Sequence, residues 1–404
     1  MNIVCVHCHA KHWKAEPSRC RQAHGYSFES CCKHGDVVLE KLKQLPEPLN
    51  SLMGGTTLQS KNFLKDVRRW NSLFAFTSIS YNMDNRTTAQ GGGLHLFQVH
   101  GAVYHLQGPL KAPTGRDAAF SQIYLYDPLF AAQARTTRAE GLDTEIILAL
   151  TQMFQECSPL IQMYKTAKER MEEAEERGGE FRIILNPQMQ LVIESGADRR
   201  RENLPTSDEV ALILPEEYGE AGCRDLVLAK RDNSGPVSER LTIINQNHAS
   251  YLPMHYVLLF HNGELGWHWG QELRNENGQR QVVRMHQRAF YRFRLYPRTD
   301  EAMTIFQAKR LFQQFLVDAW AVCDQNKLAW LKRHQSNIRA DLYNGLTDVL
   351  QQQDINLQEV GKRVVLPSSY VGGDRFMQQL YQDSMALVRH FGRPSLFITF
   401  TANP

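Results

Sequence analysis

No run of about eighteen apolar residues occurs anywhere in this 404-residue chain, which excludes a membrane-spanning helix. The first residues, Met1-Asn2-Ile3-Val4-Cys5-Val6-His7-Cys8, lack the basic start and apolar core of a secretory signal. A nuclear or cytoplasmic, non-secreted protein is therefore expected. Nucleotide-hydrolysis motifs are missing as well, because Gly91-Gly92-Gly93 and Gly372-Gly373 are not followed by the Lys-Ser/Thr of a phosphate-binding loop. There is no G-x-S-x-G elbow, no H-E-x-x-H and no paired-carboxylate arrangement. The chain thus offers no complete active site and no pocket motif for a small-molecule substrate. Internal repeats and low-complexity tracts are also lacking.

What is present is an ordinary globular composition, 42% apolar and 22% charged, long enough for two or three domains. The net charge of +3 is unevenly spread. Between Arg280 and Arg339 there are twelve Lys/Arg against four Asp/Glu, so the remainder is net acidic. Phe290, Tyr291, Phe293, Tyr296 and Trp330 are interleaved with these charges. Cations displace phosphate counterions and rings stack on unpaired bases, so the stretch suits a nucleic-acid surface, for unpaired strands in particular. The candidate contacts are Arg288, Arg292, Arg294, Lys309, Arg310, Lys332, Arg333 and Arg339.

Five of the eight cysteines, Cys5, Cys8, Cys20, Cys31 and Cys32, fall in the first 32 residues. Clustering of this kind without a secretory signal points to metal rather than disulfides. Cys5-Val6-His7-Cys8 has the spacing that brings two thiolates to one zinc, which then needs two more ligands. Cys31 and Cys32 are the candidates, with His34 or Cys20 as substitutes, since neighbouring side chains usually diverge. The zinc would be structural, all four ligands being supplied by the chain. His7 and His9 form a His-x-His pair but lie inside the knuckle rather than on an apolar strand. His95, His100 and His105 recur at a spacing that suits neither a helix face nor one side of a strand. His248, His255, His261 and His268 read as packing and hydrogen-bonding residues.

Leu45-Pro46-Glu47-Pro48 closes a Cys/His-rich arm, residues 1–48. Residues 49–178 read as a mixed α/β region. Strands are expected over 95–105 and 120–127, then a helix from Asp143 to Arg170 interrupted at Pro159, with a charged tail. Residues 179–290 read as mostly β, with short apolar runs at 182–185, 191–193, 210–214, 226–228 and 241–244 between turn signals. Residues 291–404 are mainly helical. An apolar stripe runs from Ile305 to Leu331, a helix is expected over 338–350, a short strand over 362–368 and a last helix over 373–391. The ending, Ser395 to Pro404, alternates as a strand and closes on an Asn-Pro turn. The fold class expected is α+β: a zinc-binding arm, a mostly-β middle, and a helical end reaching the first strand of an incomplete sheet.

The order of segments resembles the N-terminal part of Helitron transposases, eukaryotic rolling-circle elements that join a Rep nuclease to a helicase. The similarity is carried by the Cys5/Cys8 knuckle with Cys31-Cys32, by 100–110 (HGAVYHLQGPL) and by 122–127 (QIYLYD). It continues through Arg224 to Leu228, Gly263 to Trp267, Arg310 to Asp318 (RLFQQFLVD), Arg339 to Tyr343, Leu366 to Ser369, Met377 to Ala386 and Phe397 to Pro404. The resemblance implies that 291–404 is a Helitron helicase-like N-terminal domain. It further implies that Phe397, Thr399, Thr401, Asn403 and Pro404 form the framework of the first Rep motif. Residue 402 is Ala where the family commonly has Cys. The metal-binding His-hydrophobic-His pair and the tyrosine nucleophile that should follow are not in this sequence, nor are helicase motifs. Magnesium or manganese is accordingly expected only for the full-length family enzyme. The reading is a truncated transposase portion that binds DNA without cutting it. The alternatives are a retained non-catalytic nucleic-acid-binding protein or a degenerate transposon relic.

Overall fold

The computed structural model describes residues 1–16, 20–22, 25–83, 99–112, 115–178, 181–185, 189, 191–195, 226–231, 242–274, 280–335, 365–396 and 398. The chain is mixed α and β and divides into two compact units. One comprises 1–82 with 101–321, the other 83–100 with 322–404.

The first unit begins with two small antiparallel ribbons, β1 (Ile3–Val4) with β2 (Lys11–His12) and β3 (Cys20–Gln22) with β4 (Gly25–Ser27). A one-turn helix α1 (Glu29–Cys32) follows. Next come α2 (Leu49–Met53), α3 (Leu58–Lys65) and α4 (Val67–Phe74), then strands β5 (Ser78–Met83) and β6 (Val99–Gln107). Thr57 caps α3 by accepting from the Ser60 amide, which satisfies one otherwise unpaired N–H. After them lie α5 (Pro128–Arg138), α6 (Thr144–Cys157) and α7 (Pro159–Arg177). Asp127 and Asp143 cap α5 and α6, and Pro159 starts α7 at its first turn, where a missing N–H costs nothing. The interruption expected at Pro159 is therefore a clean break between two helices at Ser158.

Strands β7 (Phe181–Leu185), β8 (Leu191–Ser195) and β9 (Leu226–Arg231) make an antiparallel sheet in the order β8-β7-β9. β10 (Thr242–Ile244) leaves that run and pairs with β6. The unit continues with α8 (Tyr251–His255), the ribbon β11 (Glu272–Arg274) with β12 (Arg280–Arg284), α9 (Gln287–Arg294), α10 (Thr304–Gln307) and the first half, up to Ala321, of the 25-residue α11 (Lys309–Arg333). Its core is aromatic. Phe74 meets Phe154 at 5.3 Å, Phe76 meets Tyr164 at 5.2 Å, and Tyr256 meets Phe315 edge-on at 5.3 Å. Asn71 holds the buried turn after α8 from both sides, donating to the His255 carbonyl at 2.7 Å and accepting from the Leu258 amide at 3.3 Å.

One expected strand is corrected. Residues Phe120–Leu125 form a 3-10 turn, with Ser121, Gln122, Ile123 and Tyr124 all buried. Four consecutive buried side chains do not fit the two-faced alternation of a strand. Gln122 fixes the turn by accepting from the Ala119 amide and donating to the Pro109 carbonyl, while the Tyr124 hydroxyl donates to the Phe74 carbonyl at 2.6 Å.

In the second unit the last turns of α11 receive residues 365–370. Gln335 exchanges two hydrogen bonds with Val365, and the Tyr370 hydroxyl donates to Asp324 at 2.7 Å. The final helix α12 (Asp374–Phe391) matches the expectation and has no buried residue among those described. The short strand expected over 362–368 is corrected in its described part: residues 365–368 form no strand, the Val365 backbone bonding to the Gln335 side chain rather than to a neighbouring strand, and 362–364 lie outside the described residues. The expected strand at 210–214 and helix at 338–350 lie outside the described residues, as do Arg339, Phe397, Thr399, Thr401, Asn403 and Pro404.

Candidate metal centre and its arginine flank

The knuckle is built by a reversal of the chain. The His9 amide donates to the Cys5 carbonyl at 3.0 Å, the Cys5 amide donates to the Ala10 carbonyl at 2.9 Å, and His9 takes a left-handed backbone, φ 57°. Val6 donates to the Tyr26 carbonyl. Gly25 permits that approach: a Cβ there would sit 2.5 Å from Val6 Cγ1, and its φ of +134° suits no other residue. On the other side α1 carries Cys31 and Cys32, and the chain leaves it through Lys33 and His34, both with left-handed backbones.

These turns bring Cys5, Cys8, Cys31 and Cys32 together, every sulfur within 4.8 Å of the others. The Sγ–Sγ distances are 3.8 Å for Cys5–Cys32, 3.4 Å for Cys8–Cys31 and 3.7 Å for Cys31–Cys32. A tetrahedron of thiolates about 2.3 Å from zinc has edges of about 3.8 Å, so the four sulfurs fit such an ion. Adjacent cysteines converge here because the helix ends at Cys32 and both thiols lie on its inner edge. Hydrogen bonding with Cys31 pulls the Cys5 thiol far below its usual range and Cys8 down to about 7, while Cys31 is pushed up by Cys32. Four crowded thiols cannot all ionise without a cation, and zinc binding would release the retained protons. Three of the four cysteines are essentially buried, and among the described residues no fifth donor stands in the cluster, as a closed structural site requires.

The substitute ligands are placed elsewhere or not described. His34 Nδ1 lies 2.7 Å from Ser27 Oγ, outside the cluster, and the Cys20 side chain is outside the described residues. His9 Nδ1 sits 2.7 Å from Asp300, and His7 packs its ring against Gly35. His12, which sequence reasoning passed over, is fully buried and stacks on Phe28 at 3.7 Å with Nδ1 2.6 Å from Glu16.

The module is fastened to the basic stretch. Arg298 donates from Nε to the Cys8 carbonyl at 3.0 Å and from Nη1 to the Phe293 and Tyr296 carbonyls; its Nη2 lies 3.9 Å from Cys8 Sγ. Its guanidinium covers the Phe293 ring at 3.6 Å, and Lys11 donates to the Pro297 carbonyl. Arg292 donates to the Glu29 and Ser30 carbonyls, the unpaired end of α1. Arg294 and Arg298 share the carboxylate of Glu301, at 3.0 and 3.3 Å, and Arg294 also donates to the Glu40 carbonyl.

This corrects part of the expected nucleic-acid surface. Arg294 is 4% exposed and ion-paired, and Phe290, Tyr291 and Phe293 are core residues, so none of them can meet a strand. The amphipathic α9 turns them inward. Arg292 is spent on α1. Arg288, Lys309, Arg310, Lys332 and Arg333 are exposed. Arg298 went unnoticed within the basic run because nothing local marks it as inward-facing.

A second buried polar set lies on α11. Asp318 accepts from the Tyr251 hydroxyl at 2.8 Å and the Tyr256 hydroxyl at 2.9 Å, and its Oδ2 is 2.8 Å from His105 Nε2. Burial pushes the Asp318 carboxyl up, but the His105 charge and these hydrogen bonds outweigh it and hold it low. His255, 4.5 Å from the His105 ring, is lowered to about 3, by burial first and then by His105. An acid on the apolar stripe that holds Leu311 and Phe315 was the available signal. These hydrogen bonds tie α11 to β6 and α8.

Residues 290–404 match the Helitron helicase-like domain at N-terminus. No curated protein matches the chain. The Helitron-like segment begins inside α9 and carries Arg292, Arg294, Arg298, Glu301 and Asp318. The residues that fasten the cysteine module and close the buried polar set therefore belong to it. Its first part, up to Ala321, is built into the first unit, and the rest belongs to the second. Of the strand and turn expected from Ser395 to Pro404, the described residues Ser395, Leu396 and Ile398 are exposed and pair with no strand, and the rest lies outside the described residues.

Proposed function

We propose that the chain is the nucleic-acid-binding portion of a Helitron-type rolling-circle transposase, its fold secured by one structural zinc ion, and that by itself it binds single-stranded DNA without cutting it. The observation that carries this reading is the joint between Cys8 and Arg298, which builds a four-cysteine module onto the start of the Helitron-like segment. Cys5, Cys8, Cys31 and Cys32 hold the ion; it neutralises thiolates and fixes α1, and takes no part in chemistry. Exposed cations at Lys33, Arg288, Lys309 and Arg310 in the first unit, and at Lys332 and Arg333 in the second, supply the phosphate contacts. DNA cleavage in this reading needs the His-hydrophobic-His pair and tyrosine that the sequence does not contain.

The test is titration of the zinc-loaded chain against labelled single-stranded DNA over a salt series. Phosphate contacts predict that log Kd climbs linearly with log salt, with a slope of about 3 if roughly four phosphates are met. Absence of binding at low salt would sink the reading. Divalent-metal-dependent nicking that leaves a covalent protein–DNA adduct would overturn its second half.

A further inference from the structure

Beside the cysteine module, between α1 and α9, lies a cleft of about 390 Å³. Its inner surface is apolar, formed by Val37, Leu273 and Ala289. Its rim carries Lys33 from the turn after α1, His286 from the residue before α9, and Arg288. Among the described residues neither Lys33 nor Arg288 makes an ion pair, and both are exposed. Arg292 also lines the cleft, but its guanidinium bridges the two walls by donating to the α1 carbonyls. Against these cations the lining has one carboxylate, Glu29. Cys31 of the cysteine cluster also lines the cleft, while Arg298, 3.9 Å from Cys8 Sγ, is not part of the lining.

We propose that this cleft is the subsite that takes one unpaired nucleotide of a DNA strand, its phosphate on Lys33 and Arg288 and its base against Val37, Leu273 and Ala289. The inference rests on the single-strand-binding reading above and assigns it a place. An apolar floor under a cationic rim fits a flat, weakly polar body attached to a phosphate. In a duplex the bases are already stacked and paired, so a duplex offers the rim its phosphates but the floor nothing. The wall carrying Lys33 is positioned by the metal, because Cys31 and Cys32 immediately precede it.

The experiment compares the full zinc-loaded chain with its Ala289→Trp, Lys33→Glu and Arg288→Glu variants, titrating each against labelled oligothymidine and against a duplex of equal length. Zinc content and circular dichroism report folding. Ala289→Trp fills the cleft without altering charge and is expected to weaken oligothymidine binding about tenfold while changing duplex binding less than about twofold. Lys33→Glu and Arg288→Glu are expected to weaken both. If the parent chain binds no oligothymidine, the broader reading has failed and this one with it. If it binds but a folded Ala289→Trp is within about twofold of it, or loses strand and duplex alike, the cleft takes no base while the broader reading stands. Should Ala289→Trp fail to fold, the charge reversals decide: oligothymidine binding unchanged in both overturns the proposal.

Discussion

At the scale of single residues, the molecule spends its strongest polar groups on its own interior. Asp318 is 4% exposed and is reached by a histidine and two tyrosines. Removing one member of such a set leaves the others buried and unpaired, a loss of about 3–5 kcal/mol. Asp318→Ala should lower the unfolding free energy by that amount, read as a lower urea midpoint at an unchanged slope of the transition. His255 gives a pH dependence of known sign. Its folded value of about 3 lies below the ordinary histidine value of 6.5, so below that value the unfolded chain takes up a proton that the folded chain refuses. Stability from this group is intact above pH 6.5 and falls by up to about 1.4 kcal/mol per pH unit as the pH drops towards 3. Urea titrations at pH 7 and pH 5 should differ accordingly, and His255→Gln should flatten the difference. An unchanged pH slope in that variant would remove His255 as the cause.

Secondary-structure elements show what could be read from order alone. Helices α6, α7, α11 and α12 follow from apolar spacing, and the break at Pro159 from the ring's missing N–H. The four clustered cysteines followed from residue type and separation, even though Cys31 and Cys32 are adjacent. Partners set by distant chain were not readable. Phe120 to Leu125 has the composition of a strand and is a turn, because Phe74 and Pro109 supply its hydrogen-bond partners. Arg292, Arg294 and Arg298 look like surface charge and face inward, because carbonyls and a carboxylate await them there. If zinc is bound as proposed, the element most dependent on it is α1, one turn long and carrying two of the four clustered cysteines. Cys31→Ser, or chelation of the parent chain, should reduce zinc from about one per chain and open cleavage by added protease within residues 1–37. Cleavage at the same sites and rates with and without metal would contradict that.

Across the whole molecule, the boundary of the Helitron-like segment and the boundary between the compact units do not coincide. The segment starts at residue 290, whereas the units divide at residue 321. A recombinant chain of residues 290–404 would therefore strip the cover from Phe290, Phe315 and the Asp318 carboxylate. It should show no cooperative unfolding transition, whereas the 404-residue chain should show one. Calorimetry of the two chains checks this, and a sharp transition in the shorter one would show that the segment folds alone. The Cys/His-rich residues 1–48 lie within the first unit, joined to its basic stretch through Arg292, Arg294 and Arg298.

The contact between Arg298 and Cys8 spans 290 positions, and that separation sets a timetable for synthesis. At ordinary translation rates of about 5–20 residues per second, Arg298 is joined to the chain roughly 15–60 s after Cys8. All four thiols are made well before their guanidinium neighbour exists. During that interval the nascent knuckle has only its own turns and whatever metal it finds, and nothing to dock on. Zinc taken up early would protect the cysteines from oxidation while they wait, so metal supply during translation should govern how much chain matures correctly.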